Sequence, residues 1–362
     1  MDARERFHRT MQFEEVDRVP WWELGILPAT EEEWHKQGLP KEVNWEDFVG
    51  LDRFERCPYR WTACPAFEPR VLEETPEYKI VQDGGGVISR VLNTGGALRH
   101  MPQYLRFPIE SRQDWETFKK ERLNPMSPER YPENWDTLVQ GWRNRSHVFW
   151  ARGGSLFGRL RGWIGFERFL TLFHDDPDWV HEMMEYMTDF YIGVMQRLLH
   201  DVEVDFVYIF EDMSYKNGPM ISPKMFRQFM LPRYQRFTSF LRQHGVKWII
   251  VDSDGDATLL LPLWQEGGIN GFLPMEVAAG MDPRVLRKRF GRNLRLMGGL
   301  DKRTLVQGRQ AMDAELEAKV PALIAEGGYI PHLDHLVHYE MTLEAFLYYR
   351  RRLNELTLAG RQ

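Results

Sequence analysis

Short apolar runs and longer amphipathic stretches alternate along most of this chain. From residue 147 the runs HVFWARGG (147–154), VDFVYIFED (204–212), KWIIVDSDGD (247–256), INGFLPME (269–276), LRLMGGLD (294–301) and YIPHLDH (329–335) each read as a strand ending in polar or glycine residues. Between them, apolar residues recur at helical spacing. Residues 165–201 read as helix, turn, helix, and 222–245 as a helix broken near Pro232. ATLLLPLWQEGG, DPRVLRKRFG, RQAMDAELEAKVPALIAEGG and TLEAFLYYRRRLNELT supply further helices. Strands that are apolar throughout are buried on both faces, as in a parallel sheet covered by helices. A regular strand–helix alternation, with no glycine-rich dinucleotide fingerprint after the first strand, predicts an α/β fold of the (β/α)8 TIM-barrel type. Upstream, ARERFHRTMQF reads as the first helix and PWWEL as the first strand. Residues 26–135 are irregular and predict a capping segment within a single unit spanning 1–362. Within that segment YKIVQDGGGVISRVLNT predicts a hairpin turning at Gly84–Gly86.

In such a barrel the chemistry lies at the C-terminal ends of the strands. There the sequence collects Glu23, Arg152, Glu211, Asp212, Asp252, Asp254, Glu276, Asp301, His332, Asp334 and His335. So many ionisable groups at one mouth call for a ligand, a metal or mutual protonation. Glu211, Asp212, Asp254 and His335 are the candidate acids and bases. Ser222 already offers the N-cap for the helix that follows Glu211 and Asp212, which leaves that pair for chemistry. Asp252, Asp254, His332 and Asp334 form a candidate set of oxygen and imidazole ligands for a divalent metal, zinc or a harder ion. The alternative for HLDHLVH is a loop whose imidazoles hydrogen-bond main chain. For substrate binding the candidates are Trp22, Glu23, Arg152, Glu276, Gly299 and Asp301. Arg152 suits a carboxylate or phosphate clamp. Gly299 suits close approach of backbone to a ligand. Asp301 serves equally as a helix cap.

Composition narrows the partners. The 362 residues carry a formal charge of −6, which argues against nucleic acid as the main ligand. No run of about 18 apolar residues is present, so no membrane span is expected. Cys57 and Cys64 alone make no disulfide framework, and with the charged start MDARERFHRTMQ they predict a cytoplasmic protein. Thirteen Trp predict extra core and interface area, or a pocket for a flat ligand. Several motifs fail on inspection. An EF-hand from Asp252 has Ala257 and Leu263 where Gly and Glu belong, HEMME ends in Glu185 where a zinc protease needs His, and GGSLFG lacks the lysine of a phosphate loop.

Taken in order, RERFHRTMQFEEVDRVPWWE, GFERFLTLFHDDPDWVHEMM, ISPKMFRQFMLPRYQRF, MGGLDKRTL and EGGYIPHLDHLV resemble the uroporphyrinogen decarboxylase superfamily, which includes corrinoid-dependent methyltransferases. The resemblance implies a URO-D-like barrel with its site at the C-terminal mouth. WWELGILPAT stands where the decarboxylases carry an Arg-Gln-Ala-Gly-Arg stretch. Asp252, Asp254 and Asp334 stand where the methyltransferases hold zinc with His and Cys. The expected activity is methyl transfer on a small methylated or corrinoid-linked substrate, with cobalamin and a corrinoid protein as partners. The alternatives are decarboxylation of a carboxylated small molecule or tetrapyrrole, and non-catalytic corrinoid or tetrapyrrole binding. A homodimer is compatible with the family.

Overall fold

The computed structural model describes residues 1–93 and 102–359. Seven strands form one parallel sheet in chain order. They are β1 (Phe54–Arg56), β2 (Val148–Gly154), β3 (Phe206–Phe210), β4 (Trp248–Asp252), β5 (Gly271–Leu273), β6 (Arg295–Met297) and β7 (Tyr329–Ile330). Sheet order follows sequence order because each strand is returned to the same edge by a crossover of one hand. Six of the seven fall in the predicted apolar runs. The first does not: PWWEL contributes no strand, and β1 lies inside the segment read as irregular. Phe54-Glu55-Arg56 is three residues long and two-thirds charged, so it leaves no apolar signature. The expected eight-stranded barrel is therefore seen as seven parallel strands. Residues 21–27 touch both ends of the sheet without joining it. The Asp52 N–H donates to Trp21 O, and Ile26 forms an isolated bridge with Val337.

Side chains alternate between two cores. Val148, Phe206, Tyr208, Trp248, Ile250, Leu273, Met297 and Ile330 gather with Phe7, Met11 and Trp22 in an inner cluster. Their neighbours Phe149, Ala151, Val207, Ile209, Ile249, Val251 and Phe272 pack outward on the helices. Among those helices Pro177–Asp201 is 25 residues long; it starts on Pro177 and is capped by the Asp176 side chain, which accepts from the Trp179 N–H. The expected break near Pro232 is a π-helical turn, Phe226–Met230, just before the helix Leu231–Gln243. Pro232 has no N–H to give to the preceding turn, and the wider turn absorbs the misfit. Ten of the thirteen Trp are buried, which settles their main role as core.

A second, antiparallel sheet of four strands, Arg70–Glu74, Tyr78–Gln82, Ile88–Leu92 and Gln103–Arg106, stands beside the parallel one. Its central hairpin pairs Tyr78 with Leu92 and Gln82 with Ile88, as the glycine-turn motif predicts; Thr94 of that motif lies outside the described residues. No helix among the described residues is long and apolar enough to cross a membrane.

Candidate active site

At the C-terminal edge of the sheet lies a cavity of about 450 Å³. Strand parity decides what enters it. On β2 the inner series runs Val148, Trp150, Arg152; on β4 it runs Trp248, Ile250, Asp252; on β3 it reaches Tyr208 and Phe210. The same count on β1 delivers Arg56. Asp254 follows β4, His335 follows β7, and Trp61 and Arg159 complete the polar wall. Cavities of 460 and 480 Å³ exist elsewhere, but neither collects side chains from strand ends.

The electrostatics of this mouth are lopsided. Asp252 is buried and its carboxylate oxygen accepts from the Tyr208 hydroxyl. Burial, aided by the nearby Asp254 charge and opposed by Arg152, holds the Asp252 carboxyl well above the usual carboxylate range. The partly exposed Asp254 sits 3.5 Å from His335 Nε2. Burial works to lower the His335 pKa, and the Asp254 hydrogen bond and charge outweigh it, leaving the imidazole above its ordinary value. Against these stand three guanidiniums. Arg56, Arg152 and Arg159 form no ion pair or hydrogen bond through their side chains among the described residues; burial lowers Arg152 and Arg159, and partial desolvation with the Arg152 charge lowers the more exposed Arg56. Their neighbours are aromatic: Arg152 lies 4.8 Å from the Tyr208 ring, and Arg159 4.7 Å from Trp61.

Of the residues singled out from sequence, Arg152, Asp252, Asp254 and His335 meet here. The rest do not. Glu211 continues the outer parity of Val207 and Ile209, away from the mouth. Its carboxylate accepts from the Ser155 hydroxyl, the backbone N–H of Leu156, Phe157 and Gly158, and the Tyr234 hydroxyl. It caps the helix Phe157–Ile164, so the supposition that Ser222 freed it for chemistry does not hold. Asp212, with φ +43°, pairs with Arg161 at 2.7 Å. Glu23 is buried against Arg350 and Tyr349, and ties the N-terminal segment to the helix Leu343–Ala359. Trp22 packs edge-on to His332 and against Phe54 in the inner core. Glu276 accepts from the Gly255 N–H, and Asp301 pairs with Arg303. Gly299, at φ +78°, is required by packing, since a Cβ there would lie 2.7 Å from Pro283.

The proposed metal set also comes apart. The two oxygens of Asp334 accept from the Val277 and Lys302 N–H groups. Burial raises that carboxyl to about 6. His332 is buried with Nδ1 against the Leu333 carbonyl, and burial lowers it to about 3. Among the described residues no group of three or more His, Cys, Asp or Glu is placed to hold a metal ion. The donor set among the described residues does not fit one.

Arg56, Arg159, Tyr208 and Trp61 were missed. Counting alternate residues back from Asp252 and Arg152 and across to β3 would have found Tyr208. Arg159 and Trp61 carry no signal before the fold is known.

The uroporphyrinogen decarboxylase (URO-D) family model matches residues 156–354, more than half of the chain. The chain belongs to the URO-D family. A URO-D-like fold is also found in a methyltransferase from Methanosarcina mazei, with a TM-score of 0.63 at 16% identity, covering 99% of this chain and 98% of that one. The IOLI protein with a binding zinc atom is far more remote, with a TM-score of 0.28 at 13% identity over 70% of this chain and 86% of that one. No curated protein matches. Within the URO-D region fall the Arg159 helix, β3 to β7 and every carboxylate of the cavity.

Proposed function

We propose that this URO-D-family protein is an enzyme acting on a small carboxylated molecule, and that the reaction is decarboxylation. One observation carries the reading: guanidiniums without ion-pair partners share the cavity with Asp252, a buried carboxyl whose pKa burial raises. Arg152, with Arg56 on the neighbouring strand, clamps a substrate carboxylate. The bond from that carboxylate to carbon breaks, carbon dioxide leaves, and the electron pair stays on carbon. Asp252 gives its proton to that carbon, and Tyr208 orients the acid. The Asp254–His335 pair at the wetter rim returns a proton from solvent. Asp252→Asn should lower kcat by about 10²–10⁴ in a carbon dioxide release assay over a panel of carboxylic acids. Wild-type turnover in Asp252→Asn would overturn the assignment.

A second reading is methyl transfer, favoured by the fold likeness to the methyltransferase over nearly the whole chain. It would pair the cavity with a small methylated substrate and a corrinoid protein, the corrinoid supplying the methyl-carrying centre. Methyl transfer from methylcobalamin, followed by absorbance, distinguishes the two readings. We further read 1–362 as one URO-D-like unit in which residues 21–27 close the sheet into a barrel. The Trp22 ring contacts both Phe54 of β1 and His332 beyond β7, which supports that closure.

A further inference from the structure

The reading above employs Arg152 and Arg56, which lie on adjacent strand ends. Arg159 is left over. It sits in the first turn of the helix Phe157–Ile164 and shares the cavity. Its Nε is buried with no hydrogen-bond partner. Among the described residues Asp83 of the hairpin tip influences it without forming an ion pair, and the Asp83 Oδ1 accepts from the N–H groups of Gly85 and Val87. Trp61 flanks both Arg159 and Arg152, at 4.7 and 5.7 Å, without neutralising either. A half-buried cation with no counter-ion and a buried, unpartnered Nε costs stability and persists where a ligand will complete it.

We propose that Arg159, backed by Trp61, is a second anion subsite, so that the substrate carries two anionic groups, one on Arg152 and one on Arg159. This rests on the carboxylate reading of the cavity. The second group is a carboxylate or a phosphate, since a guanidinium fork suits either. At about 450 Å³ the cavity holds the equivalent of about 15 waters at ~30 Å³ each. That suits a small dicarboxylate or phosphorylated acid.

Calorimetry with butyrate, the dicarboxylates from malonate to adipate, and inorganic phosphate tests this on the full chain at low salt. The wild type should bind one dicarboxylate about tenfold or more tighter than butyrate. Arg159→Met should reduce that dicarboxylate to the level of butyrate and leave butyrate unchanged. Arg159→Lys, which keeps the charge, should recover part of the preference, and this separates charge from packing. Arg152→Met should weaken both classes. If Arg159→Met keeps the wild-type preference while Arg152→Met weakens both, the second subsite is refuted and the carboxylate reading stands. If Arg152→Met changes nothing, or the wild type binds none of these anions, the carboxylate reading falls and the subsite with it. Tight phosphate binding that is lost in Arg159→Met supports the subsite and identifies its anion as phosphate.

Discussion

Glu211→Gln separates a structural carboxylate from a catalytic one. Oε2 accepts from the Ser155 hydroxyl at 3.0 Å, the Phe157 N–H at 2.8 Å and the Gly158 N–H at 3.0 Å; Oε1 accepts from the Leu156 N–H at 2.9 Å and from Tyr234. In the amide the oxygen keeps the three-donor side and the NH2 meets Leu156. Tyr234 can rotate to accept, but the Leu156 N–H cannot, so one buried donor is orphaned at about 1–3 kcal/mol. Loss of the negative charge at the helix N-terminus adds about 0.5–2 kcal/mol. Together these give about 1.5–5 kcal/mol, or a urea midpoint lowered by roughly 0.5–1.7 M for an m-value near 3 kcal/mol per molar. Tyr234→Phe removes one donor and leaves the charge, so it should cost only about 1 kcal/mol. Circular dichroism against urea reads both. Should Glu211→Gln unfold at the wild-type midpoint yet fail to turn over substrate, the capping argument is wrong and Glu211 acts on the reaction.

Three further outcomes follow from the same coordinates. Asp205 is buried, and burial alone would raise its pKa. His8, Arg4, Arg145 and the Phe149 N–H overcome that and hold it near 2. Its stabilisation is complete above the ordinary 3.8 and fades as pH falls toward 2, about 2.4 kcal/mol in all; Asp205→Asn should lose stability at pH 7 and flatten the acid limb of a stability–pH curve. Tyr208→Phe removes a donor that favours ionised Asp252, so the alkaline limb of the pH–rate profile should move to higher pH, and a shift to lower pH would refute the pairing. Within the Arg159 helix, Gly158→Ala would put a Cβ 2.5 Å from the Glu211 carbonyl and should cost about 1–3 kcal/mol, whereas Gly162→Ala enters open space and should gain about 0.5–1 kcal/mol, both read by thermal melting.

How much of this was legible depends on whether a segment is buried on both faces. β2, β3 and β4 are continuous apolar runs because inner core and helix layer both demand apolar side chains, and such runs announce themselves. β1 lacks that signature: Phe54 and Glu55 are only partly buried and Arg56 is exposed, so its composition is that of a loop. The site shows the same limit in another form. Position at a strand end is not sufficient for membership, because consecutive residues there point to opposite layers. Asp252 continues Trp248 and Ile250 inward, while Glu211 continues Val207 and Ile209 outward. A parity count, available from the sequence, accepts Arg152, Tyr208 and Asp252 and rejects Glu211. Parity does not suffice beyond the strands. His332 shares the inner side with Ile330, but a buried loop closes over it and leaves it in the core against Trp22. Asp334 spends both oxygens on the N–H groups of Val277 and Lys302, two loops that come together only in the folded chain. Arg159 reaches the cavity because Glu211 fixes the start of its helix. Glu211, a catalytic candidate by sequence, thus determines where the unanticipated cation stands, and a Glu211 variant that still folds should show it as weakened binding of anions.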